Sequence, residues 1–378
     1  MKGLSTSQRL FDDGFSLIEL MVAMAIGAVF ILGITQMFVA QKTTHSLQLG
    51  MSQIQEGGRL AVEMMSRDVR MADYWGCAKG KINVVNNLDI NDSAVGLTAE
   101  KKQAMNFLQA GGIIGHRAVS GEKIASLKVV LGSDIITLHG AVSSNCSVTG
   151  TDLSSAAIQV ASCNVDSAEF VVISDCMGGD IFQNTGAGIG KNLAHNNANS
   201  VVPGNNMLAN TNAAHCNGRS QCLSQEYAAG AKILKPYTST YFIAASSSGS
   251  GNTGLFKRDE LNGRSHELIN GVENMKIHYA VDTDYDATAS SNTLDQPTRS
   301  ANRWMTAAAI AADNKILWDE VIAIRVEFLL HSDDGVTQKS RMITFAGNHY
   351  GGEDNRRRQV YSATMNIRNR SIPSARGL

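Results

Sequence analysis

From Phe15 to Ile34 every residue except Ser16 and Glu19 is apolar or small, and as a helix those twenty residues span about 30 Å. The pattern then narrows to one stripe. Leu47, Met51, Ile54, Ala61, Met65, Val69 and Ala72 recur every three or four residues, with one step of seven across Gly58. No proline occurs before Pro203. The spacing therefore predicts one unbroken helix over Phe15–Ala72, about 87 Å long. Its first half is apolar all round and its second half has one apolar face.

Beyond the helix the period falls to two. Ser133–His139, Glu169–Ser174, Thr240–Ala245 and Gly254–Arg258 read as short strands. In Glu273–Val281, Met275, Ile277, Tyr279 and Val281 share a face, and in Val321–Leu330 the even positions from Ile322 to Leu330 do. Asp333-Asp334-Gly335 reads as a turn into a partner strand over Thr337–Phe345. Val360–Arg368 reads as the last strand, with Tyr361, Ala363, Met365 and Ile367 on one side. The fold class expected is α+β: a long N-terminal helix on an antiparallel head. The asparagine-rich stretch Asn184–Asn217 reads as a surface insertion, about 184–230 with its flank, and Ser246–Gly251 as a flexible loop.

Composition narrows the class. The 378 residues carry a net charge of −1, so nothing global draws the chain to nucleic acid. Cys77, Cys146, Cys163, Cys176, Cys216 and Cys222 all follow the apolar segment, and none forms a CxxC pair. An even count confined to one side of a membrane segment reads as disulfides in an oxidising compartment, the other reading being unpaired buried thiols. Fifteen pairings are open, and Cys216 with Cys222 closes the shortest loop.

Glu19 lies five residues into the apolar run, and no other charge occurs between Asp13 and Lys42. A carboxylate in hydrocarbon costs about 2.5–3.5 kcal/mol, so such residues mark function. Gly14-Phe15-Ser16-Leu17-Ile18-Glu19-Leu20-Met21 resembles the signal of type IV prepilins and related pseudopilins. That resemblance implies cleavage between Gly14 and Phe15 by a prepilin peptidase, then N-methylation of Phe15. Glu19, one turn along, would pair with the new amine or with that of a neighbouring subunit. Lys2 and Arg9 are offset by Asp12 and Asp13, so the leader has little of the positive bias that orients such segments.

Several later segments resemble the PilW group of minor pilins. They include Gly58-Arg59-Leu60-Ala61, Arg67–Ala72, Gly76-Cys77, Ile173–Cys176, Gly254–Arg258, Glu267–Glu273 and Asn366-Ile367-Arg368-Asn369-Arg370. The resemblance implies a cleaved leader over 1–14, a long helix over 15–75 with its transmembrane part about 15–38, and a periplasmic head over 76–378. It further implies a non-catalytic subunit of a tip complex that primes pilus assembly, held in the inner membrane and then in the fibre. Its partners would be other minor pilins, the major pilin, prepilin peptidase, the inner-membrane platform and a tip adhesin, with motility and DNA uptake as downstream phenotypes. A minor pseudopilin of type II secretion is the alternative, and a membrane-anchored binding protein or enzyme the alternative of another class.

No enzyme motif is complete, and no cofactor is expected. His266-Glu267-Leu268-Ile269-Asn270 lacks the second histidine of HExxH and precedes a strand signal. Gly186–Lys191 fails both the phosphate-loop and the dinucleotide patterns, and GxSxG is absent. Asp282, Asp284 and Asp286 have the first three positions of a calcium loop, but Ala287 and Thr293 replace its glycine and glutamate, which leaves a looser calcium site or an acidic turn after a strand as the two readings. Arg356, Arg357, Arg358, Arg368, Arg370 and Arg376 read as solvated charges at strand ends. Without interleaved aromatics they do not read as a nucleic-acid platform.

Overall fold

The computed structural model describes residues 16–76, 84–91, 96–108, 112–152, 156–186, 190–197, 201–206, 214–216, 221–249, 251–284, 300–337 and 340–371. One helix, α1, runs unbroken over Leu17–Met71, about 82 Å. The large apolar side chains of its first half, from Leu17 to Val39, are exposed. The second half lies on the head and buries Gly50, Ile54, Gly58, Ala61, Met65 and Val69. Ile54, Ala61, Met65 and Val69 belong to the expected stripe, whereas Leu47 and Met51 are half-buried at its edge.

Two of the buried positions are glycines, and each admits a head side chain to the helix axis. A Cβ at Gly58 would lie 2.8 Å from Tyr361 Cγ, and one at Gly50 would lie 2.7 Å from Val336 Cγ1. The atoms met at Gly58 sit at the root of the Tyr361 side chain and cannot swing away. Gly58→Val is therefore expected to cost about 2 kcal/mol through overpacking, although glycine is the poorer helix former. Chemical denaturation of the detergent-solubilised chain checks this; an unchanged midpoint would contradict the close approach.

Among the described residues, two large sheets make up most of the head. The smaller orders its strands Arg303–Met305, Val272–Val281, Val321–His331 and Arg358–Asn366, all antiparallel. The larger has ten strands around the long pair Asp134–Asp152 and Lys232–Ala245. Its pairings are antiparallel except Val84–Asn86 with Gly179–Gln183. The stripe of α1 joins both sheets in one core. Ile136, Leu138, Tyr241 and Ile243 enter it from the large sheet, and Met275, Ile277, Tyr279, Val326 and Phe328 from the small one.

Three expectations change, and the rejection of the zinc motif stands. The strand Val321–His331 pairs with Arg358–Asn366, and Asp333-Asp334-Gly335 starts no hairpin with it. Ile343–Phe345 instead turns back on Asn348–Tyr350 as a separate two-stranded ribbon. His266 and Glu267 lie inside the strand Arg264–Asn270, which rules out the helical face a zinc motif requires. The start of the Ser246–Gly251 loop is pinned: Ser246 Oγ and Ser247 Oγ each donate to Glu267 at 2.5 Å, and the Ser247 N–H donates at 2.9 Å. Where described, the asparagine-rich stretch also packs against the head. Gly190–Ala194 pairs with Ala157–Cys163, and Leu193, Leu223 and Tyr227 bury in a second core cluster. Buried Asp180 accepts from Asn87, Tyr227 and Ser224, tying the far flank of that stretch to the large sheet.

Cys146–Cys163 and Cys216–Cys222 are disulfides, and Cys176 is disulfide-bonded too. Cys77 lies outside the described residues.

Candidate functional site

The chemistry of this molecule is concentrated at the two ends of α1. At the first end, Ser16 Oγ accepts from the Ile18 N–H at 3.3 Å and Glu19 Oε2 accepts from the Ser16 N–H at 3.1 Å. This reciprocal capping box satisfies two backbone donors that an open helix start leaves orphaned. Glu19 also places negative charge at the positive end of the helix dipole. It is exposed, as are Leu17, Ile18, Leu20 and Met21 around it. Gly14 and Phe15 lie outside the described residues. The sequence signal for this cap is Ser-x-x-Glu directly before an apolar run.

The other end is locked into the head by residues almost 300 positions away. Asn369 Nδ2 donates to the Ala72 carbonyl at 2.9 Å and reaches the Arg70 carbonyl at 3.4 Å, covering acceptors that a helix end leaves free. Arg370 Nε donates to Asp73 Oδ2 at 2.9 Å, and its Nη1 donates to the Trp318 and Val321 carbonyls at 2.6 and 2.8 Å. Trp75 Nε1 donates to Asp73 Oδ1 at 3.0 Å, and the Asp73 N–H donates to the His139 carbonyl at 2.9 Å. Burial raises the Asp73 carboxyl above its ordinary range, while Arg370 and Trp75 pull the other way. One turn earlier, Asp68 Oδ2 accepts from Tyr241 Oη at 2.6 Å and pairs with Lys257. Gln53 Nε2 donates to Asp333 Oδ2 at 3.1 Å lower on the helix.

Two arginines expected to be solvated are thus buried. Arg370 closes the joint, and Arg358 is held by the Glu273 carboxylate at 2.7 Å and by Asp354. Desolvation alone would forbid both, but Arg370 meets Asp73 at the end of α1, and Arg358 meets Asp354 four residues before it and Glu273 on a neighbouring part of the sheet. Arg376 lies outside the described residues. Of the acidic triplet, Asp282 is buried and Asp284 is exposed, and Asp286 lies outside the described residues. Among the described residues, the closest grouping of metal-type ligands is His215 with Cys216 and Cys222. Those two sulfurs are bonded to each other, so neither is a thiolate.

His139 sits beside the joint, its Nδ1 3.0 Å from Thr238 Oγ1, which donates to the Ala104 carbonyl at 2.7 Å. With that hydroxyl proton committed, Nδ1 carries the histidine hydrogen. Burial lowers the His139 pKa to about 4, against about 6.5 for a free histidine. A depressed folded value means the unfolded chain takes the proton first, so this stabilisation is present above pH 6.5 and lost towards pH 4. Comparing the chain with His139→Gln by thermal unfolding should show a pH slope smaller by about 1.4 kcal/mol per unit in that window. Identical slopes would contradict a buried neutral ring.

Residues 240–369 match a family model described as PilW, type IV pilus-assembly protein W, and residues 12–35 match the prokaryotic N-terminal methylation motif. This is the pattern of a type IV pilus minor pilin with a prepilin-like signal. The PilW-type region, about a third of the chain, spans Tyr241, Lys257, Asp333 and Asn369, which hold α1, and stops one residue short of Arg370. Residues 36–239 fall outside both matches. No curated protein and no solved structure matches this chain. The methylation motif and the bare apolar helix together mark membrane anchoring and incorporation into a pilus. PilW-type pilins are structural components, and their role is pilus assembly.

Proposed function

We propose that this protein is a minor pilin of the tip complex that primes type IV pilus assembly. It is cleaved between Gly14 and Phe15, methylated on Phe15, and acts without catalysis of its own. The observation that carries the reading is a prepilin motif and a PilW-type region on one chain, joined by a helix whose apolar half touches nothing of its own head. Uncovered apolar surface of this extent needs lipid before assembly and neighbouring helices after it. Held in the inner membrane with its head in the periplasm, the subunit passes into the fibre with other minor pilins above the major pilin. Prepilin peptidase, the assembly platform and a tip adhesin complete its partners.

Glu19 supplies the docking charge. Cleavage puts an ammonium on Phe15, one helical turn from the Glu19 carboxylate, and pairing relieves both charges in an apolar setting. Deleting the gene and counting surface pili by electron microscopy tests the role. A severe fall, restored by a plasmid copy, is expected; normal piliation contradicts it, and normal piliation with lost protein secretion assigns the subunit to type II secretion.

A further inference from the structure

The last strand, Arg358–Asn366, pairs with Val321–His331 along its whole length without a register shift. Among the described residues nothing pairs with its other edge. Nine residues of strand make an edge about 30 Å long. Exposed edges of this length are ordinarily guarded by a proline, a bulge or an inward charge. Apart from Arg358, an inward charge at its first position, the strand has none of these: residues 359–367 contain no proline and no charged side chain.

The edge is also presented rather than covered. Tyr361, Ala363 and Met365 pack towards the core beneath α1, while Val360, Ser362, Thr364 and Asn366 are exposed on the outer face. On that same face Arg325, the register neighbour of Thr364, stacks over the half-exposed Trp304 ring at 4.5 Å. Tryptophan and arginine are the side chains that most often anchor protein interfaces.

We infer that this edge is a docking site for a β-strand of a different chain, one that carries acidic residues at both ends. The charges choose the occupant. Arg357 and Arg368 are exposed just outside the two ends of the strand, with half-exposed Arg356 beside the first. Self-pairing over the full strand sets arginine against arginine either way: Arg356 against Arg368 when antiparallel, and each against its own copy when parallel. Like charges so placed are repulsive, whereas an acid-flanked strand is attracted at both ends and gains the ladder between them.

The inference rests on the assembly role only for where the partner is met. The test places a photo-crosslinking amino acid at Ser362, Thr364 or Asn366 of the full-length protein in piliated cells and maps the products by mass spectrometry. The three positions should capture one chain at residues successively two apart, running in one direction. The exposed pair Arg357→Glu with Arg368→Glu should cut the yield at least about tenfold while trypsin resistance of the head is kept. Dimers of this chain, scattered products, no product, or an undiminished yield in the double variant would each overturn it. Piliation of the gene deletion is read separately: normal piliation there removes the priming role but leaves the crosslink ladder standing or falling by itself.

Discussion

Arg370→Ala is expected to cost the full-length protein about 3–5 kcal/mol, the typical loss when one partner of a buried ion pair is removed. The alanine leaves Asp73 buried, and the Trp318 and Val321 carbonyls lose the donor that Nη1 supplied. Asp73 can escape only by taking a proton, because burial already raises its carboxyl. Its folded pKa then rises further above the unfolded value, so stability is kept in acid and lost as the pH rises through that folded value. The deficit should therefore be smaller at pH 5 than at pH 8. Adding Asp73→Asn to Arg370→Met should recover part of the loss, since an amide still accepts from Trp75 and carries no charge. Thermal unfolding in detergent at both pH values checks all three statements; a deficit below about 1 kcal/mol at pH 8 would mean that the joint is solvated.

Glu19→Ala is expected to leave membrane insertion intact, since it makes the helix more apolar, and to stop entry into fibres. An unpaired ammonium left at about 2.5–3.5 kcal/mol corresponds to roughly a hundredfold loss at equilibrium. Glu19→Gln separates two roles for the same side chain. The amide oxygen can still accept from the Ser16 N–H and keep the cap, but it offers no charge to the Phe15 amine. Immunoblots of sheared pili should show both variants absent. Wild-type incorporation of the glutamine variant would reduce Glu19 to a helix cap.

What the sequence reveals follows how local the cause is. The helix is plain from Phe15 onward because its stripe and the absence of proline are properties of neighbours in the chain. The Cys216–Cys222 bridge was legible as the shortest loop, whereas Cys146–Cys163 depends on two strands lying side by side, which brings their Cα atoms to 5.0 Å. Thr337–Phe345 alternates well enough to look like a hairpin partner. Yet the edge of Val321–His331 is taken by a strand twenty-seven residues on, which buries Met365 and half-buries Tyr361 against α1. The same distance effect hid the joint. Arg358 and Arg370 belong to a run of arginines that reads as solvated charge until Glu273, Asp354 and Asp73 are seen beside them. Gly58 interrupts the apolar stripe because Tyr361 fills the gap its missing side chain leaves.

In the proposed role, N-methylation and fibre entry both follow from the cutting of one peptide bond, Gly14–Phe15. Intact mass spectrometry of the protein extracted from membranes should give a chain beginning at a methylated Phe15, fourteen residues shorter than the translated sequence. An uncleaved bond between Gly14 and Phe15 in fully assembled cells would contradict it.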